Sequence, residues 1–182
     1  VKGRDGEGRA NGAAIRNSGF VPVTGQAAGD CWRLARRSRD IWLEVAEAAG
    51  ITIQQRGLVM AARRPESAAV IDAFLKTEMG AECQRLTGFE ASQYVPALRT
   101  DRVKTVLYSP LELRVESRDA LPQIAAWLEE AYGAAFRWGT QVHAADAPTL
   151  ETSAGPINAT TRILCPRAAV ATPSPARPAP QP

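Results

Sequence analysis

The sequence predicts a mixed fold, α/β to α+β, and three observations carry that prediction. Three segments repeat apolar residues at three- and four-residue spacing, the mark of half-buried helices. Runs of β-forming residues lie between them, and strands alternating with helices define the mixed classes. A glycine-punctuated stretch, Arg9 to Gln26, reads as neither helix nor strand. With 182 residues and 45% apolar content, the chain can build a real core as one ordinary domain or two small ones.

In chain order, Val1 to Arg9 is polar and Gly-rich and reads as a surface loop, with no strand of its own. In Arg9 to Gln26, Gly12, Gly19 and Gly25 stand where a backbone could turn sharply or approach a ligand. Ala13 and Ala14 leave little bulk in the way, and Asn17 can bond local backbone. Such a loop can present amide N–H groups to phosphates or a flat ring; an ordered surface loop before a helix is the plainer alternative.

Gln26 to Ala49 reads as a long helix with Trp32, Leu34, Ile41, Trp42, Val45 and Ala46 on its apolar side, and Gly50 as its stop. Ile51 to Ala62 reads as a β-hairpin turning at Arg56-Gly57. Pro65 opens a second helix through about Met79, closed by Gly80. Glu82 to Leu86 reads as a short strand. Thr87 to Tyr94 is a short helix, with Thr87 and Glu90 at capping-box spacing. Val103 to Val115 reads as two strands or one bent strand around Ser109-Pro110. Ser117 caps a third long helix to Tyr132. Ala135 to Trp138 and Gln141 to Ala145 are short strands joined at Gly139-Thr140, and Thr149 to Ser153 and Thr160 to Cys165 are two more. From Pro166 the chain alternates Pro with Ala, Ser and Arg, a composition that reads as disordered.

The net charge of +3 is small and the arginines are spread along the chain, which argues against nucleic-acid binding. No apolar run reaches the length of a bilayer-spanning helix, so no membrane partner is expected. Cys31, Cys83 and Cys165, odd in number and far apart, argue against a disulfide framework and for a cytoplasmic setting. His143 is the single histidine, and with no Cys-x-x-Cys pair a zinc site has no ligand set. As a half-exposed strand residue it has a plainer reading than as a catalytic base. No G-x-S-x-G, G-x-x-x-x-G-K-[ST] or G-x-G-x-x-G motif occurs. Glu112, Glu116 and Asp119 read as solvated or capping carboxylates. On residue types alone, no reaction is named.

Ala10-Asn11-Gly12-Ala13-Ala14-Ile15-Arg16-Asn17-Ser18-Gly19-Phe20 nevertheless resembles the A-S-x-x-N-x-G segment of the FAD-dependent amine and D-amino-acid oxidoreductases, the family of glycine and sarcosine oxidases. It is most similar to a subgroup associated with phosphonate catabolism, in which a P-T-G-Q element follows, as Pro22 to Gln26 does here. Leu86 to Leu98, Leu113 to Ser117, Phe136 to Val142 and Ala159 to Cys165 resemble further family elements in the same order, over about Arg9 to Pro166.

The resemblance implies a partial FAD-binding dinucleotide fold plus an antiparallel-sheet substrate domain with helices on one side. Residues 1–50 would be a remnant of the FAD-binding domain, 51–116 the substrate-domain part, 117–165 the return to the FAD-binding domain, and 166–182 a disordered Pro/Ala-rich tail. It implies FAD as cofactor, a small amine or amino acid as substrate, and hydride transfer to flavin. Ala13, Ala14, Asn17, Ser18, Gly19, Phe20 and Val142 fall at cofactor-binding positions, and Arg114 is the candidate for the substrate. The sequence departs from the family in having no G-x-G-x-x-G turn to hold the pyrophosphate. Its Pro-rich end also lies where the family pattern would continue. The chain therefore reads as an internal fragment with a change of reading frame near Pro166, inactive in isolation. The alternative is a non-enzymatic α+β binding domain with a Pro-rich tail.

Overall fold

The computed structural model describes residues 2–5, 17–144 and 149–163. The Pro/Ala-rich end, Leu164, Cys165, and the cofactor-site candidates Ala13 and Ala14 lie outside the described residues.

Strand β5 (Thr105–Val115) organises the fold. It is one continuous strand across Ser109-Pro110, and Arg114 is its one exposed residue. Strand β3 (Ile53–Ala62) pairs with it antiparallel along its length. β2 (Phe20–Val21) and β4 (Gln84–Leu86) pair with it antiparallel at opposite ends, opposite Leu113–Arg114 and Val106–Tyr108.

The hairpin expected at Arg56-Gly57 does not form. Gly57 adopts φ +81, and the register against β5 shifts between Arg56 and Leu58. A left-handed glycine suits a turn and a bulge equally; with β5 as partner the chain bulges and runs on. A Cβ at Gly57 would lie 2.9 Å from the Ser109 carbonyl oxygen, so only glycine fits this approach.

Leu107, Leu111 and Val115 are four apart on β5 and so share one face. Each anchors a core cluster. Leu107 packs with Ala62 and with Ile71 of helix α2 (Pro65–Phe74). Leu111 packs with Val23 and with Trp32 of helix α1 (Asp30–Ala48). Val115 packs with Ala46 of α1, Ile51, and Ala120 of helix α4 (Ser117–Tyr132).

Helix α1 starts four residues later than its apolar spacing predicts. Positive-φ backbone at Gly25 and Gly29 breaks the first turn, and Asp30 then places a carboxylate at the helix N-terminus. Its end is as expected: Ile51 N–H donates to the Ala46 carbonyl (2.8 Å) across Gly50. Helix α2 begins at Pro65 as predicted but stops at Phe74, short of Met79. Thr77 Oγ1 donates to the Phe74 carbonyl (2.7 Å), and a separate 3-10 turn follows at Glu78–Gly80. Helix α3 (Gly88–Tyr94) carries the expected capping box between Thr87 and Glu90.

The N-terminal segment was expected to have no strand, yet Lys2–Asp5 forms β1, paired in parallel with β6 (Ala135–Trp138). A parallel partner so distant in sequence leaves no local signal, and the polar composition hides it. β6 and β7 (Val142–Ala144) follow one another as expected but do not pair; β7 pairs with β8 (Thr149–Thr152), and β8 with β9 (Ile157–Asn158). Thr160 to Ile163 form no strand.

Candidate functional site

Asn17 to Val21 is neither helix nor free loop, and long-range contacts hold it. Asn17 Oδ1 accepts from Gly19 N–H (2.7 Å), the local backbone bond its type suggests. Ser117 Oγ donates to the Asn17 carbonyl (3.0 Å), and Val115 N–H donates to the Gly19 carbonyl (2.9 Å). Gly19 has φ +66, and a Cβ there would lie 1.8 Å from the Val115 carbonyl oxygen. The glycine is therefore required twice, by its dihedral and by the approach of β5. Ser117 was read as the cap of α4. That role falls to Glu116, whose carboxylate accepts from Arg118 N–H (3.3 Å), and it frees the Ser117 hydroxyl for Asn17.

A cavity of about 200 Å³ opens beside this segment, lined by residues 17–21 and by Trp42, Val115, Ser117, Ala120 and Leu121. Ligand pockets commonly span roughly 300–1,000 Å³, so this one admits part of a larger ligand. Ser18 is exposed, and Phe20 keeps 40% of its surface.

The remaining predicted site residues lie elsewhere. Val142 is in β7, opposite Thr152, and 43% exposed. Arg114 is exposed on β5, between Phe20 of β2 and Gln55 of β3. The structure thus brings Asn17, Ser18, Gly19 and Phe20 together at the cavity, and β2–β5 pairing puts Arg114 next to Phe20. His143 is exposed in β7.

Glu112, which reads from sequence as a solvated or capping carboxylate, is 1% exposed. Its Oε1 accepts from Thr24 N–H (2.7 Å). Its burial has no local signal, because the chain covering it comes from residues 22–26. Nearby, burial pushes the Cys83 thiol pKa up; the Ser109 hydroxyl opposes this and the Glu112 charge adds to it. Among the described residues, no group of three or more His, Cys, Asp and Glu side chains could hold a metal ion. No helix among them is long and apolar enough to cross a membrane.

The model of the FAD dependent oxidoreductase family, DAO, matches residues 5–172. Among curated protein sequences none matches significantly. Among solved structures, the chain is similar to L-proline dehydrogenase from P. horikoshii, at 20% identity and a TM-score of 0.73 over 86% of this chain and 44% of that one. It is similar to glycine oxidase from Bacillus cereus ATCC 14579, at 20% identity and a TM-score of 0.70 over 87% and 46%. It is likewise similar to glycine oxidase from Geobacillus kaustophilus, at 23% identity and a TM-score of 0.69 over 87% and 46%. These likenesses establish the fold, a mixed α/β arrangement with antiparallel sheets. The chain spans less than half the length of these structures.

FAD is the cofactor of this family, and the residues present fit one part of it. Gly19, with no side chain, is held against β5 and α4, and a small cavity lies between residues 17–21, Trp42 and those two elements, with the half-exposed Phe20 ring at its edge. That surface suits the edge of a flat ring. The phosphate end has no comparable cradle among the described residues, and the sequence holds no G-x-G-x-x-G turn.

Proposed function

The chain belongs to the FAD-dependent oxidoreductase family, and from that premise we propose that it is part of an enzyme oxidising a small amine or amino acid. Within the family we place it with the glycine and sarcosine oxidase-like enzymes, in the subgroup associated with phosphonate catabolism, acting in the cytoplasm. The observation that carries this reading is the bracing of Asn17 to Phe20 against Val115 and Ser117, at the positions the resemblance assigns to the flavin.

When bound, FAD supplies the redox chemistry, accepting a hydride from the carbon next to the substrate nitrogen. The chain's own residues bind and orient. Asn17 fixes the turn that leaves the Gly19 main chain flat. Ser18 and Phe20 would border the flavin, and by resemblance Ala13, Ala14 and the Val142 backbone would serve the rest of the dinucleotide. Arg114, beside Phe20 on the sheet, offers a fixed positive charge to a substrate carboxylate. Residues 1–50 and 117–165 would then serve the FAD-binding domain and 51–116 the substrate domain, with 166–182 as a tail.

As an isolated chain, these 182 residues would hold FAD weakly and not turn over. With no G-x-G-x-x-G turn in the sequence to bring amide donors to the pyrophosphate, binding should lose roughly 3 kcal/mol, on the order of a hundredfold. Titration of FAD into the purified chain, followed by flavin fluorescence and absorbance, tests both levels. Weak, saturable binding is expected. A yellow stoichiometric complex overturns the weak-binding part, and no saturable binding at all overturns the cofactor assignment.

A further inference from the structure

Residues 22–26 leave β2, meet β5 between its β2 and β4 partners, and lead into α1. One polar contact to β5 holds them over a long sequence separation: Thr24 N–H donates to Glu112 Oε1 at 2.7 Å. The surroundings are unfavourable for a carboxylate. Among the described residues, Glu112 Oε2 and the Trp32 indole N–H are buried without a hydrogen-bond partner, and the Thr24 hydroxyl meets only the Cys83 thiol. Trp32 packs on Val23 and Leu111, the chain neighbours of Thr24 and Glu112. A buried carboxylate with one oxygen unsatisfied destabilises a fold, and an apolar side chain of similar volume avoids that penalty. Core packing therefore does not account for a glutamate here. What Glu112 supplies, and an apolar residue cannot, is an acceptor for Thr24 N–H.

The location gives that acceptor a consequence. The stretch from Asn17 to Thr24 is tied down at both ends. Ser117 and Val115 hold Asn17 and Gly19 at one end. Glu112 holds Thr24 at the other. Between them, Phe20 and Val21 lie on Arg114 and Leu113. We propose that Glu112 is a positioning residue, latching residues 22–26 onto β5 and so fixing the path of the cofactor-facing residues 17–21. The positioning role rests on the reading above that those residues lie along the flavin; the latch does not.

The test uses the full chain and the variants Glu112→Leu and Glu112→Gln, the second keeping an acceptor oxygen. Amide hydrogen exchange is measured without flavin, beside thermal melting, and FAD is then titrated into each. In Glu112→Leu, the amides of Thr24 and of residues 19–21 should exchange at least tenfold faster, while the melting temperature stays level or rises. Glu112→Gln should restore slow exchange. FAD affinity should fall at least tenfold further in Glu112→Leu and be kept in Glu112→Gln. Unchanged exchange in Glu112→Leu overturns the latch. A lowered melting temperature with uniformly faster exchange across β3 and β5 also overturns it, since Glu112 is then a general structural residue. Faster exchange with unaltered FAD affinity overturns the positioning role. No saturable FAD binding by the parent chain counts against the flavin reading, and exchange alone then decides the latch. If Glu112→Leu does not fold, Glu112→Asp takes its place, because shortening the side chain breaks the Thr24 contact while keeping the charge.

Discussion

The segment from Asn17 to Thr24 and the short helix α3 are of similar length, and the backbone of the one and the start of the other are set by different kinds of contact. The start of helix α3 is fixed from within, although its Tyr94 also stacks on Tyr108 of β5. Thr87 N–H donates to Glu90 Oε2 (2.7 Å), and Glu90 N–H donates to Thr87 Oγ1 (3.2 Å), a pair three residues apart. The 17–24 segment is fixed from outside. Its contacts reach from Asn17 to Ser117 and from Thr24 to Glu112, separations of 100 and 88 residues. A locally written cap sets where a helix begins whatever surrounds it, even where packing is needed to hold so short a helix. A remotely fixed segment takes its shape only after β5 and α4 are in position, so its geometry reports the state of the whole fold. A surface that met a ring with defined geometry, as proposed for residues 17–21, would benefit from that second arrangement.

The largest test of the contrast is Gly19→Ala. The new Cβ would sit 1.8 Å from a main-chain oxygen, and φ +66 is strained for alanine. Either β2 lifts from β5 or the end of β5 moves. A loss of at least about 3 kcal/mol in chemical denaturation is expected, with the 17–24 amides losing exchange protection and the α3 amides keeping theirs until global unfolding. Equal loss in both regions would break the contrast.

The same contrast explains what could be read from the sequence. The α3 capping box, the Gly50 stop and the start of α2 at Pro65 were legible because each is written within a few residues. β1 was not, because its partner β6 lies near the other end of the chain. The bulge at Gly57 was taken for a turn because positive φ serves both, and only the presence of β5 chooses between them. At the site, the local bond of Asn17 and the need for glycine at 19 followed from residue type. The hydroxyl of Ser117 and the burial of Glu112 did not, since each depends on a segment far away in sequence. What was legible of the site was its inner geometry; its anchoring was not.

Ser117→Ala gives a smaller effect and a sharper one. It removes the hydroxyl bond from α4 to the Asn17 carbonyl while leaving Glu116 to cap the helix. About 1 kcal/mol of stability should be lost, with faster exchange confined to residues 17–21. If exchange instead rises at the start of α4, the hydroxyl serves the helix and the remote anchoring of the segment rests on β5, through Val115, the β2 pairing and Glu112.

The smallest effect belongs to α3, and it tests the local side of the contrast. Glu90 has its pKa lowered, first by the Thr87 backbone N–H and second by the Thr87 hydroxyl. A carboxylate depressed in the folded state adds stability above its ordinary pKa, and that contribution is lost as pH falls through the lowered folded value. Thr87→Ala removes the hydroxyl and keeps the N–H. The Glu90 pKa, followed by NMR of its side-chain carboxyl carbon, should therefore rise only part of the way to the ordinary range. Exchange at Gly19 and Thr24 should not change, because nothing in the capping box reaches β5's far end. A full return of the pKa would mean that the backbone bond depends on the hydroxyl, and a response at Thr24 would mean that the two regions are not separate after all.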